Sequence, residues 1–160
     1  MADFGRGIKA GIVSGIIYGI VSVILGIITA VIYWETILGN YAGITVSTAD
    51  MMGVIGFLIP ILAISAIIGG IIFGIIFGLI YAAIYNSLPG SSSVMKAIVL
   101  SLIGWLILSL GMGYGNLAVD TMYYVVNNVI FGLIGWIIWG YLLGVLWDKF
   151  GARPATAGAA

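Results

Sequence analysis

The sequence predicts an all-α integral membrane protein, a bundle of four transmembrane helices. Three observations carry this. Of 160 residues, 63% are hydrophobic and only ten are charged, whereas a soluble domain has about a quarter of its residues charged. Uncharged stretches at 10–34, 51–85, 97–119 and 121–147 each reach the ~20 apolar residues that a bilayer helix needs. The charges also sort by side: Arg6, Lys9, Lys96, Lys149 and Arg153 fall on one side of those spans, and Glu35, Asp50 and Asp120 on the other. Cytoplasmic loops are rich in Lys and Arg, so both termini and the 86–96 turn are expected in the cytoplasm.

The first span is expected at 8–34. Arg6 and Lys9 ahead of it imitate a secretory signal, but an apolar run of about 25 residues exceeds the roughly 7–15 of a signal core, so it reads as a retained helix. Gly7, Gly11, Gly15 and Gly19 stand four apart along it. The second span, 51–86, carries Ala66, Gly70, Gly74, Gly78 and Ala82 at the same spacing. Glycine weakens a water-soluble helix by roughly 1 kcal/mol each time, so its regular recurrence needs a reason. In lipid, helices hold together by close backbone approach, which small-xxx-small stripes permit. The two stripes therefore predict glycine-zipper packing of helices one and two. A four-residue repeat drifts about 40° per step on a 3.6-residue helix. One straight partner would then reach about three of the five members of the second stripe, leaving the rest to another helix, lipid or a second subunit.

Residues 51–86 are too long for one simple span, and Pro60 removes a helix hydrogen bond within them. A kinked or tilted helix is expected, with a re-entrant or interfacial 51–59 as the alternative. The third span, 95–115, follows a turn at 86–93 in which Pro89 and Gly90 stop one helix and Ser92 or Ser93 caps the next. The fourth occupies 122–147, and 151–160 reads as a disordered cytoplasmic tail. Shifting the first span by 87 residues lays Lys9, Ala10, Ser14 and Ser22 on Lys96, Ala97, Ser101 and Ser109. A parallel two-plus-two internal repeat is a further expectation.

Candidate chemistry is sparse. The absence of Cys and His excludes disulfides, haem ligated through those residues, iron–sulfur clusters and ordinary zinc sites within the chain, and no cofactor or metal is expected. Zero net charge offers nothing to attract nucleic acid. The span middles hold no Asp, Glu, Lys or Arg, the usual marks of proton relays and ion coupling. A serine nucleophile would find no base there, so no catalytic residue is assigned and the chain is expected not to be an enzyme. What remains is a polar lining near the midplane. Ser14, Tyr18 and Ser22 share one helix face, Ser101, Trp105 and Ser109 share another, and Asn127 and Asn128 lie in the outer third of the last span. The structural alternative is that the serines bond back to their own helix and the asparagines bond between helices.

Three functions fit these residues. The favoured one is a non-enzymatic structural or accessory subunit of a membrane assembly, packed through its small-residue faces. Its partners would be the lipid bilayer and either other transmembrane subunits or further copies of itself. The second is a channel or facilitator for small neutral or weakly polar solutes, lined by the serine–aromatic trios. The third is binding of a lipid, quinone or pigment in a crevice walled by Tyr18, Trp105, Trp136 and Trp139. The glycine stripes and isoleucine-rich composition resemble those of many small prokaryotic membrane proteins, so a prokaryotic plasma membrane is the expected location.

Overall fold

The computed structural model describes residues 3–37 and 48–151. Helix α1 spans Phe4–Ile32 and α2 spans Thr48–Ile84. Helix α3 begins as Ser93–Gly104 and continues through a π-helical stretch, Trp105–Gly111, a 3-10 turn, Met112–Tyr114, and a last α turn, Gly115–Val119. Helix α4 begins as Thr121–Tyr124, passes through a second π-helical stretch, Val125–Phe131, and ends as Gly132–Gly151. All four are long and apolar enough to cross a membrane, and the described residues contain no strand. Helices suit such an environment because each satisfies its own backbone hydrogen bonds where no water is present. The chain is thus a multi-pass membrane protein.

Local chemistry sets the helix ends. Asp3 caps α1 by accepting from the Arg6 amide at 3.0 Å, and Ser92 caps α3 by accepting from the Met95 amide at 3.2 Å. Gly90 sits at φ +134° in the turn before it, a backbone conformation that side chains resist. Asp120 alone separates α3 from α4: its backbone is extended, and its carboxylate accepts from the Tyr123 amide at 2.7 Å. Helix α2 runs through Pro60 as one element, with no separate segment at 51–59. The connection at 38–47 and the tail from residue 152, including Arg153, lie outside the described residues.

Helix α1 packs against α2 on one side and α4 on the other, and α3 packs against α4. The α1–α2 seam is backbone on backbone. A Cβ added to Gly19 would lie 2.6 Å from the Ala66 carbonyl oxygen, and added to Gly15, Gly11 or Gly7 it would strike the carbonyls of Gly70, Gly74 and Gly78. The relation is reciprocal, since a Cβ on Gly70, Gly74 or Gly78 would strike Gly15, Gly11 or Gly7. Such contacts direct Cα hydrogens at opposing carbonyls, an arrangement worth about 0.5–1 kcal/mol each. Ala82 closes the row, 3.0 Å from a Cβ on Gly7. All five α2 stripe members therefore face α1, which corrects the expectation that a straight partner reaches three. Both helices carry the same four-residue period, so their stripes drift in the same sense and stay in register when the helices wrap around each other.

The other faces of α2 follow the same period. From Gly70 the chain reads GIIF, GIIF, GLIY, AAIY. The small residue of each tetrad meets α1. The aromatic residues Phe73, Phe77 and Tyr81 turn toward α4. Ile72, Ile76 and Ile80 are exposed, as are Ile20, Ile24 and Ile28 of α1. Aliphatic residues thus coat the outside while glycine, serine and aromatic residues fill the inside, a pattern suited to lipid rather than water.

Candidate functional site: a crevice between the two hairpins

The two hairpins, α1–α2 and α3–α4, meet firmly from mid-span toward the end that carries the basic residues. Phe73 and Phe77 of α2 pack on Trp136 and Trp139 of α4 with ring centroids 5.2–6.0 Å apart, mostly edge to face. This geometry suits the positive edges and negative faces of aromatic rings. The Trp139 indole is fully buried, and its N–H has no hydrogen-bond partner among the described residues. The Phe77 ring stands perpendicular to it with centroids 5.4 Å apart.

Nearer the termini a polar latch joins all four helices. The Ser93 hydroxyl donates to Asp148 at 2.6 Å and lies 2.6 Å from the Tyr85 hydroxyl, while Tyr81 donates to the Ser93 carbonyl at 2.5 Å. Arg6 bonds to the Trp147 carbonyl, stacks 4.3 Å over the Trp147 ring and stands 3.5 Å from Asp148. Lys96 donates to the Tyr85 carbonyl at 3.0 Å and lies over its ring. Because one face of each charge or ring is covered by a neighbour, these contacts order the end of the bundle more than an open surface pair would.

Halfway along, the π-helical stretches of α3 and α4 face each other. A π turn widens the helix and changes the register of its carbonyls, and here each stretch supplies the other. The Trp105 indole donates to the Asn128 carbonyl at 3.0 Å, and the Asn128 amide donates to the Ser109 carbonyl at 2.9 Å. The Asn128 side-chain oxygen accepts from Asn116 at 3.0 Å and from Asn127 at 3.3 Å. Tyr124 donates to the Leu110 carbonyl at 3.2 Å, and Trp136 donates to the Ser109 hydroxyl oxygen at 2.8 Å. Glycines make room for these side chains: a Cβ at Gly104 would meet the Trp136 ring, one at Gly113 the Asn128 amide, and one at Gly132 the Trp105 indole.

From that level outward the hairpins part, and they meet again where the Tyr33 ring after α1 packs on Tyr123 of α4 with centroids 5.5 Å apart. An inner cavity of about 370 Å³ is bounded by all four helices, with Tyr18, Ser22, Gly70, Phe73, Ser109 and Trp136 among its walls. An outer cavity of about 360 Å³ runs from Ser22 and Asn127 past Gly26, Ile27 and Leu62 to Thr29, Ile37 and Tyr123. A third, of about 190 Å³, lies between α1 and the π-helical stretches and shares Tyr18, Ser22, Ser109 and Asn127 with the other two. Ser22 borders all three, so they adjoin one another around it and together make up the crevice between the hairpins. None of their lining residues is charged.

The structure divides the eight polar residues singled out from the sequence. Tyr18, Ser22, Ser109, Asn127 and Asn128 border the crevice. Ser14 and Ser101 do not line these cavities; both are fully buried and bond back to their own helices, Ser14 to the Gly11 carbonyl at 3.1 Å and Ser101 to the Ile98 carbonyl at 2.8 Å. Trp105 serves the clamp between the π stretches. The nine small residues singled out for packing all lie in the α1–α2 seam. Sequence reasoning passed over Phe73, Phe77, Asn116 and the Arg6–Asp148–Ser93 latch. The tetrad period of α2 was the available signal for the aromatic pair; the latch joins residues 55 and more positions apart and leaves no local trace.

These features define a four-helix membrane bundle with an uncharged crevice closed at one end by aromatic rings. The chain belongs to a family described as a family of unknown function, DUF6789, whose model matches residues 9–158. No curated protein and no solved structure matches it.

Proposed function

We propose that this chain is a non-enzymatic membrane protein that lodges one uncharged, lipid-soluble molecule in the crevice between its hairpins. The observation that carries the reading is the crevice itself, in which apolar walls surround a few converging polar side chains, the usual makeup of a small-molecule site. The aromatic floor under it favours binding over the passage expected of a channel or facilitator. The α1–α2 stripes act in this reading as a glycine zipper that fixes one wall.

The orientation that goes with it puts the termini and the latch in the cytoplasm of a prokaryotic cell, supported by Arg6, Lys9, Lys96 and Lys149 gathering at that end. The crevice then opens toward the outer leaflet. An internal two-plus-two repeat is supported by Ser14 and Ser101, which share full burial and the same bond to the carbonyl three residues back. Mass spectrometry of the protein extracted with its native lipids tests the function. A stoichiometric small molecule lost from a Gly69→Phe variant is the expected result, and an empty wild-type protein at every extraction would refute it.

A role as accessory subunit or homo-oligomer remains the second reading. Its small-residue stripes are already occupied within the chain, so its support is the exposed ridge of Ile64, Ile68, Ile72, Ile76 and Ile80 on α2. Native mass in mild detergent tests it: a lone monomer counts against it.

A further inference from the structure

We infer that the crevice selects a molecule whose polar end is a bare hydrogen-bond acceptor, a ketone- or quinone-type carbonyl, seated against Ser109, Tyr18 and Ser22; this rests on the binding role proposed above. Donors and acceptors at this level do not balance. Three acceptors at this level are already used. The Ser109 carbonyl takes the Asn128 amide, the Asn128 carbonyl takes Trp105, and the Asn128 side-chain oxygen takes two amides. The Ser109 hydroxyl oxygen takes the Trp136 indole N–H, while its own proton has no acceptor among the described residues. Tyr18 and Ser22 bring two more hydroxyls to the same inner cavity from α1, and because they bond to each other one of their two protons is left over. The inner cavity therefore holds two unspent hydroxyl protons, one from Ser109 and one from the Tyr18–Ser22 pair. The Asn127 side-chain oxygen borders only the two neighbouring cavities. A group that accepts without donating balances the two protons.

Shape and charge narrow the choice further. The Tyr18 ring is held at 6.4 Å from Phe73 and 6.3 Å from Trp136, so its hydroxyl is presented from a fixed position. Gly69 leaves that wall without a side chain, with nothing within 4 Å of where its Cβ would stand, which admits a flat ring beside Phe73. A charged head would meet no counter-charge there, at a cost of several kcal/mol in such surroundings. From Ser22 to Thr29 the outer cavity extends about 10 Å along α1, at 1.5 Å per residue, between apolar walls that suit an alkyl tail.

The test uses the full chain in phosphatidylcholine proteoliposomes and four tritiated probes with ten-carbon tails: a decyl-benzoquinone, a decyl ketone, decanol and decane. Saturable binding with the two carbonyl probes about tenfold tighter than decane, and decanol between them, is the expected result. Tyr18→Phe, which keeps the ring, should weaken the carbonyl probes roughly fivefold and leave decane unchanged. Ser109→Ala should do the same, and Ser14→Ala, outside the crevice, should change nothing. Equal affinity for all four probes, or decanol binding tightest, overturns the carbonyl assignment while leaving the binding role standing. No saturable binding of any probe overturns both.

Discussion

The two hairpins use the same small residues to opposite ends. In α1–α2 glycine faces glycine and the backbones touch. In α3–α4 most of the seam glycines face a side chain: Gly104 receives Trp136, Gly113 receives Asn128 and Gly140 receives Ser101, while Gly144 meets the Val94 backbone. The first arrangement gives stiffness without chemistry. The second gives a polar network whose hydroxyls and amides reach the crevice. A glycine in a membrane helix therefore says that something approaches closely; the residue opposite decides what the approach is for.

Substitutions can break or sharpen that contrast. The largest effect is expected from Gly74→Val, whose Cβ meets the Gly11 carbonyl, a backbone atom that cannot turn aside. Overpacking costs about 1–3 kcal/mol when side chains can yield, and here it should reach about 3 or more, read as lost resistance to unfolding in detergent. Asn128→Leu comes next. It removes a side chain in three hydrogen bonds, and at about 0.6 kcal/mol per bond within a bilayer the loss should be near 2 kcal/mol. The same assay checks it, and equal losses at Gly74 and Asn128 would erase the distinction between the hairpins. Asp148→Asn weakens the latch at a carboxylate 58% exposed, so a change below about 1 kcal/mol is expected, shrinking with added salt. The smallest effect belongs to Gly26→Ala. Nothing lies within 4 Å of a Cβ there, so stability should hold or rise by up to about 1 kcal/mol, and a large loss would show an unseen neighbour.

Much of the fold was legible because its signals are periodic and local. Four apolar runs, the basic residues beside them and two four-spaced stripes need only one segment at a time to be read. The candidate site was legible in pieces. The serine–aromatic trios pointed to the right level of the bundle, yet the drift of about 80° from Ser14 to Ser22 around α1 left Ser14 fully buried and set Ser22 beside a cavity. The π-helical stretches left no recognisable mark, since they answer the fit of Trp105 and Asn128 across the seam.

Composition and spacing alone determined that this chain forms apolar helices, how many, and which strips of them invite close contact, because helix propensity, hydropathy and the 3.6-residue turn act within a segment. Only the tertiary structure decided which strip meets which, where the hairpins part, and which hydroxyls keep an unspent proton. Those outcomes depend on pairs of side chains far apart in sequence, whose contact energies exist only once the helices are side by side.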